Sequence, residues 1–211
     1  MKIRQLVETE YGNRIDLSNG KLTILPSDLP DTVSDDFWCD SNQLTSLEHC
    51  PSQVGGGFHC QYNRLTSLEH CPSRVGGSFL CHYNSLTSLE HCPSQVGGNF
   101  SCSSDMLTSL EGCPSEVGGD FFCHKNKLTS LEDIHKQIKK IGGDFFCNGN
   151  KIKSHILGLM LVEIGGDIVT KLGDIKDVDE ILNRWKNQGR KGALGCQREL
   201  LDLGYKELAQ L

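Results

Sequence analysis

Apolar residues recur at a fixed spacing through the middle of the chain. In residues 78–98, SFLCHYNSLTSLEHCPSQVGG, one residue separates Phe79 from Cys81, and Leu86 and Leu89 follow after a polar stretch. The unit returns every 21 residues between positions 36 and 119. Alternate residues of a strand share a face, so we expect the Phe and Cys to point inward and Leu80 outward. One such unit cannot bury its apolar side alone, and the pattern therefore predicts a solenoid of stacked coils.

Degenerate copies extend the repeat in both directions. Residues 15–34 keep the apolar positions, residues 120–166 contain two copies with a longer second half, and residues 167–170 begin a last one. We expect about eight parallel strands, stacked roughly 4.8 Å apart. The predicted organisation is an N-terminal cap with a degenerate first repeat (1–34), a solenoid of parallel β coils (35–170) and a helical C-terminal cap (171–211).

The helical prediction for the C-terminal part depends on a second period. Val178, Ile181, Leu182 and Trp185 form a stripe at helical spacing, and Gly189 is a predicted helix stop. A second helical run covers residues 193–203 before Gly204. Because the last coil of a solenoid exposes its core, we expect these helices to cover it.

The repeated residues resemble a known family. Phe79, Cys81, Asn84, Leu86 and Leu89 match the leucine-rich repeat pattern L-x-L-x-x-N-x-L-x-x-L. The LTSL segment with its following proline resembles the short repeats of bacterial effector proteins, and the V-G-G-D-F-x-C version is similar to repeat proteins of large tailed bacteriophages. The resemblance covers residues 15–170 and implies a leucine-rich-repeat-like binding scaffold, which by itself specifies no activity.

Ten of the eleven cysteines belong to the repeat, and Cys196 is the exception. The first series occupies the inward strand position, where a small apolar thiol packs well. No C-x-x-C pair is present, so we expect neither a metal site nor a cofactor. The two series are Cys39, Cys60, Cys81, Cys102, Cys123 and Cys147, and then Cys50, Cys71, Cys92 and Cys113.

Location is predicted from the start of the chain and from its hydropathy. Glu8 and Glu10 stand where a secretion signal needs apolar residues, and no apolar run reaches membrane-spanning length. We therefore expect reduced thiols and a cytoplasmic protein without membrane contact. If the chain is phage-encoded, this cytoplasm is that of the bacterial host.

Two polar series accompany the apolar ones. An Asn series is predicted to satisfy backbone groups inside the bend, and Asp105, which replaces Asn in one copy, is predicted to sit in a solvated bend. A Glu series, joined by His49, His70 and His91, is predicted to form an exposed, solubilising edge, with a strip for metal or for a basic partner as the alternative. The series are Asn42, Asn63, Asn84, Asn126 and Asn150, and then Glu48, Glu69, Glu90, Glu111 and Glu132.

The outward strand positions differ from copy to copy and include large apolar and aromatic side chains, which have no core to serve on a simple solenoid. Aromatic residues are common anchors of protein interfaces, so these positions are the predicted protein-binding site. The alternative is that the C-terminal segment or a second copy of the chain, in a homo-oligomer, covers them. The candidate residues are Trp38, His59, Tyr62, Leu80, His82, Tyr83, Phe122, His124, Lys125 and Phe146.

Charge separates the repeats from the C-terminal part. Residues 35–134 carry 12 acidic and 4 basic side chains, whereas residues 135–211 carry 10 and 13. An acidic repeat region does not suit a phosphate backbone, so nucleic acid is not the expected partner. Lys186, Arg190 and Lys191, in the loop before the second helical run, form a candidate anion site.

These observations favour a non-enzymatic protein-binding scaffold. By resemblance, it is a phage protein that binds and modulates a bacterial host protein, for example one of a defence system, or a viral protein. One alternative is nucleic-acid or nucleotide binding through the basic C-terminal loop. Another is a Cys196-dependent enzyme, although no His follows Cys196 in the sequence.

Overall fold

The computed structural model describes residues 6–9, 12–172 and 177–211. They form a parallel β-solenoid of about seven coils with a short helical C-terminal part, which confirms the predicted fold. Each coil contributes one short strand to a front sheet and one to a back sheet. We number the coils by the first inward residue that each shares with the Phe series of the front sheet: coil 1 at Ile15, coil 2 at Phe37, coil 3 at Phe58, coil 4 at Phe79, coil 5 at Phe100, coil 6 at Phe121 and coil 7 at Phe145.

The front sheet has nine strands. Eight are parallel, as predicted, and the outermost N-terminal strand pairs antiparallel with its neighbour, Leu6 opposite Ile15. Backbone hydrogen bonds join adjacent coils; for example, the Cys81 N–H donates to the Ser101 carbonyl at 2.8 Å. In spatial order the strands are Leu6–Thr9, Gly12–Asp16, Phe37–Trp38, Phe58–His59, Phe79–Leu80, Phe100–Ser101, Phe121–Phe122, Phe145–Phe146 and Ile168–Val169.

The back sheet has seven parallel strands and was not predicted from the sequence. Each strand has two residues, of which the first is exposed and the second is a buried Val or Ile. From the second back strand onward, each strand comes directly before the glycine pair of its repeat. The strands are Thr32–Val33, Gln53–Val54, Arg74–Val75, Gln95–Val96, Glu116–Val117, Lys140–Ile141 and Glu163–Ile164.

The core between the sheets repeats one layer per coil. The inward Phe rings follow one another with centroids 5.0 to 5.9 Å apart. The first Cys series and both Leu positions of each full repeat lie in the same core. Burial of this continuous apolar column is the main stabilising contribution, since no single coil has an interior of its own.

The glycine pairs permit the close approach of adjacent coils. A Cβ on Gly97 would meet the carbonyl oxygen of Gly76 well inside 3.0 Å, and the same holds for Gly118 against Gly97. A glycine pair in a sequence is typical of a turn, but neither of these glycines has a positive φ. They are required because the neighbouring backbone occupies the space of a side chain.

The Asn series lies inside the bend after each front strand and links adjacent coils, as predicted. Asn126 accepts a hydrogen bond from the Leu107 N–H at 3.1 Å and donates to the carbonyls of Cys102 and Cys123 at 2.8 and 3.1 Å. Asn84 likewise donates to the Cys carbonyls of its own and the preceding coil. Each amide thereby satisfies backbone groups that would otherwise be buried without partners.

Coils 6 and 7 contain extra residues, which form helical turns between the front strand and the back strand of each coil. These are the α-helix α1 (Ile134–Gln137) and a 3-10 helix (Leu157–Leu161). The C-terminal helices are α2 (Val178–Trp185) and α3 (Gly189–Asp202), so Gly189 begins the second helix and the prediction that it stops the first was wrong. No helix within the described ranges is long and apolar enough to cross a bilayer.

Helix α2 closes the end of the solenoid with side chains that take the place of a further coil. Asp179 accepts bonds from the N–H groups of Thr170 and Lys171. Asn183 accepts from the Ile168 N–H at 2.8 Å and donates to the Ile168 carbonyl at 2.9 Å. Just beyond the helix, Asn187 forms the same pair of bonds with Ile164. Helix α3 packs on α2 and on the 3-10 helix, away from the front face.

Candidate protein-binding face

The outward residues of the front sheet form three columns that run along the solenoid. The strand column lies within the strands, the middle column follows the inward Cys, and the bend column comes next along the chain. The strand column is Trp38, His59, Leu80, Ser101, Phe122 and Phe146, the middle column is Asp40, Gln61, His82, Ser103, His124 and Asn148, and the bend column is Ser41, Tyr62, Tyr83, Ser104, Lys125 and Gly149.

Large side chains of the strand column are half-buried because they pack on one another. The Phe122 and Phe146 rings are stacked, with centroids 4.9 Å apart and an interplanar angle of 6°. Trp38 meets His59 edge-on at 5.8 Å, and the Arg14 guanidinium lies 3.9 Å over the Trp38 ring. These residues form a ridge whose rings pack mainly on one another, although Trp38 Nε1 and Arg14 Nε are buried without a hydrogen-bond partner.

The middle column contains neutral imidazoles. Burial lowers the pKa of His82, with the nearby His124 and His59 adding to the effect, and burial also lowers the pKa of His124. The Nδ1 atom of His124 lies 2.9 Å from the Ser103 hydroxyl. Ser103 is itself buried, so this pair has the geometry of a packing contact between coils.

The bend column holds the two most exposed aromatic side chains of the face. Tyr62 and Tyr83 are 51% and 45% exposed, and their rings are stacked with centroids 4.8 Å apart at an interplanar angle of 10°. His82 meets both rings at steep angles. The structure thus brings together three of the predicted residues in one cluster, which we call the tyrosine stack: Tyr62, Tyr83 and His82.

The bend column has a left-handed backbone, in which a bulky residue is unusual. The φ angles of Tyr62 and Tyr83 are 55° and 56°, and Asn19, Ser41 and Ser104 have the same conformation in other coils. A non-glycine residue in this region costs on the order of 1 kcal/mol, and tyrosine has no side-chain group that offsets the cost locally. Gly149 occupies the bend column in coil 7, and a glycine at a bend is typical of a left-handed conformation. The sequence therefore contained an indication of this conformation, which the prediction did not use.

Asp105 is buried beneath the bend of coil 5, and the prediction of a solvated bend was wrong. Its side chain takes the place of the Asn amide, and its Oδ1 accepts bonds from the N–H groups of Asn84 and Leu86 at 3.1 and 3.0 Å. Its Oδ2 is buried without a hydrogen-bond partner. In the other coils the equivalent atom is the Asn amide nitrogen, which donates to two Cys carbonyls. An ionised Asp105 has no proton to donate, so its Oδ2 would face carbonyl oxygens that also only accept hydrogen bonds. Burial raises the pKa of Asp105 to about 7.

The Glu series is exposed, and its His neighbours have a backbone role. His49, His70 and His91 lie in left-handed turns with φ between 66° and 70°, and Gly112 takes the same position in coil 5. Glu48 and Glu69 approach the adjacent His at 4.0 and 3.8 Å. Among the described residues, no group of three or more His, Cys, Asp or Glu side chains is arranged to hold a metal ion.

The residues of the candidate anion site differ in their contacts. The Lys186 ammonium donates to the Gly166 carbonyl, to Asp167 at 3.1 Å and to Asn183 at 3.0 Å, so it is tied to the last coil. Arg190 and Lys191 lie in the first turn of α3 and are exposed. Lys186 is therefore bonded within the protein, and of the three cations only Arg190 and Lys191 are exposed.

The Cys196 thiol lies in the interface of the C-terminal helices and is fully buried. Burial raises its pKa to about 12, with Glu199 adding to the effect. A thiol that stays protonated at neutral pH is a weak nucleophile. Burial also raises the pKa of Cys39 and of the other cysteines in the first series, and all eleven thiols are free.

The sequence was also compared with known proteins. No protein-family model matches it, and no significant similarity to a curated protein was found.

Proposed function

We propose that this protein is a non-enzymatic binding module that captures another protein with its front face. The observation that carries the proposal is the tyrosine stack. Two bulky rings are held exposed in a strained left-handed bend, at positions where the neighbouring coils have Ser. The bend imposes this conformation on every coil, so backbone preference does not explain a bulky ring there, and its exposure points to a role outside the fold. Exposed, rigid tyrosines are frequent anchors in protein interfaces.

The surroundings of the stack support a protein partner. The ridge of packed rings in the strand column supplies an apolar surface near it, and Tyr62 and Tyr83 themselves are exposed. The acidic repeats do not suit a phosphate backbone. The resemblance to phage repeat proteins is the ground for proposing a bacterial host protein or a viral protein as the partner, in the host cytoplasm.

Two observations speak against the alternatives. The buried, protonated Cys196 thiol is unsuited to nucleophilic catalysis. For binding of nucleic acid or a nucleotide, the basic loop offers Arg190 and Lys191 alone, since Lys186 is bonded to the last coil.

Affinity purification followed by mass spectrometry tests the proposal. The bait is the full chain, expressed in the organism in which it acts, as wild type, as Tyr62→Ser/Tyr83→Ser, and as Trp38→Ala/Phe122→Ala/Phe146→Ala. The first variant copies the serines found at the same bend in coils 2 and 5, so we expect it to keep the fold. The matched control is Leu194→Ser/Leu201→Ser, which removes two exposed apolar side chains from α3.

We expect wild type and the α3 control to capture the same protein, and the tyrosine variant to lose at least about tenfold of it, as is typical when interface anchors are removed. The ridge variant is expected to lose less, because its rings are half-buried. Unchanged capture by the tyrosine variant would contradict the proposal, provided that its circular dichroism matches that of wild type.

A further inference from the structure

The tyrosine stack has an open ring face at each end. The rings are stacked along the axis of the solenoid, so the outer face of Tyr62 looks towards coil 2 and that of Tyr83 towards coil 5. The residues at the same bend in those coils are Ser41 and Ser104, whose side chains are too short to cover a ring. A planar group from a partner can therefore extend the stack at either end.

A carboxylate lies at the bend of coil 2, the coil towards which the outer face of Tyr62 is turned. The Ser41 hydroxyl donates a hydrogen bond to Asp40 Oδ2 at 2.9 Å, which places this carboxylate next to the bend that the Tyr62 ring overlooks. Within the described part of the chain, Asp40 makes no ion pair. An open ring face and an uncompensated negative charge thus occur together.

The opposite end of the stack differs in charge. Beyond Ser104, the next residue of the bend column is Lys125, which is exposed. Lys125 is two coils beyond Tyr83, and the Arg14 guanidinium lies over Trp38 on the Tyr62 side, so each end has a cation at some distance. The ends differ in the middle column, which carries Asp40 beside Ser41 but the uncharged Ser103 beside Ser104. Electrostatics therefore favour a cation at the coil 2 end.

The same face already contains a guanidinium on a ring. The Arg14 guanidinium lies 3.9 Å over the ring of Trp38, which belongs to coil 2, next to the tyrosine stack. A guanidinium is planar, stacks on aromatic rings and pairs with carboxylates through several N–H groups, whereas an ammonium group is a compact, strongly hydrated charge. A ring beside a carboxylate is therefore a better match for arginine than for lysine.

We propose that Tyr62, Asp40 and Ser41 form a site for an arginine side chain of the partner protein. The guanidinium stacks on the outer face of Tyr62 and donates hydrogen bonds to Asp40. This inference rests on the proposed function, because it names the chemistry that the front face recognises. It also gives the acidic repeats a role, since their field attracts a basic segment to the face.

Fluorescence anisotropy with short peptides tests the site. The probe is a fluorescein-labelled Gly-Arg-Gly-Arg-Gly peptide, with Lys and citrulline versions as matched ligands, added to the full-length protein at low salt. We expect the Lys peptide to bind severalfold more weakly and the citrulline peptide to show no measurable binding. Tyr62→Ser and Asp40→Asn should each weaken the Arg peptide by about fivefold, which corresponds to one cation–π or ion-pair contact. Glu69→Gln removes the same charge from the distant exposed edge and should change nothing.

Two results would overturn the inference. If Glu69→Gln weakens binding as much as Asp40→Asn does, the attraction is diffuse and there is no site. If the Lys peptide binds as well as the Arg peptide, or if Tyr62→Ser has no effect, the ring does not select a guanidinium. When the peptide fails to bind but Tyr62→Ser/Tyr83→Ser still abolishes partner capture, the arginine site is wrong and the proposed function stands.

Discussion

The interior of the solenoid repeats from coil to coil, whereas the front face does not. Inside, coils 2 to 7 have the same inward Phe and Cys and, apart from Asp105, the same bend amide. Outside, adjacent coils of one column carry side chains as different as Leu80 and Ser101. Interior side chains contact the backbone of the next coil, so a substitution there disturbs the packing between coils. Outward positions touch only neighbouring side chains, which leaves them free to carry recognition.

The largest effect is expected at the back sheet. In Gly97→Ala, the new methyl group would overlap the Gly76 carbonyl, and neither backbone can move without separating the coils. We expect a loss on the order of 5 kcal/mol in the free energy of unfolding, or failure to fold. Urea unfolding followed by circular dichroism measures it. Ser94→Ala, on the exposed side of the same coil, is the control, and equal losses in the two variants would contradict the close-packing account.

Asp105→Asn restores the interior pattern and should stabilise the protein in a pH-dependent way. The pKa of Asp105 is about 7 when folded, against an ordinary value of 3.8. Between these values the folded state holds a proton that the unfolded state has lost, so wild-type stability falls as pH rises from about 4 to about 7 and then levels off. We expect the advantage of the Asn variant to grow by up to about 4 kcal/mol over this range.

Urea unfolding of both proteins at several pH values tests this expectation. The groups that face Asp105 are the thiols of Cys60, Cys81 and Cys102, which stay protonated throughout the range. Asp28→Asn, at an exposed position, should show no such growth. A stability difference between Asp105→Asn and wild type that stays constant from pH 4 to pH 8 would show that Asp105 is ionised in the fold.

Removal of a regular interior amide comes next in size. Asn126→Ala leaves the Leu107 N–H and the carbonyls of Cys102 and Cys123 without partners in a buried bend. We expect a loss of about 3 kcal/mol in unfolding free energy. Asn148→Ala removes an amide from the middle column of the face instead and should change stability by less than about 0.5 kcal/mol. A similar loss in both variants would remove the distinction between the interior and the face.

The smallest effect on stability is expected for the residues proposed to bind the partner. Tyr62→Ser/Tyr83→Ser loses the contact between the two rings, both ring contacts with His82 and some apolar packing, but its backbone conformation is that of Ser41 and Ser104. We expect a change below about 1 kcal/mol, measured by the same urea unfolding. A loss as large as that of Asn126→Ala would mean that the stack supports the fold and is not reserved for a partner.

The sequence predicts the features that depend on side-chain pattern. The 21-residue period, the inward Phe and Cys and the bridging Asn amides follow from apolar spacing and from the need to satisfy buried backbone groups. The back sheet was missed because its strands have two residues each, too short to show alternation, and because the adjacent glycines resemble a turn.

The candidate site was harder to predict, because exposure depends on how neighbours pack. Trp38, Phe122 and Phe146 are prominent in the sequence, yet they are half-buried against Arg14 or against each other. The burial of Asp105 could not be read from a pattern in which the other copies have an amide, since one changed atom turns a donor into an acceptor.

Helix α2 determines the length of the solenoid. The last coil has the same stacking surface as an internal one, and an uncovered surface of this kind would add a second molecule end to end, as a fibre does. Asp179, Asn183 and Asn187 prevent this by occupying the backbone groups that the next coil would use. Duplicating a 21-residue unit upstream of α2 therefore lengthens the solenoid and leaves its C-terminal end covered. The number of coils can thus vary without end-to-end association at the last coil.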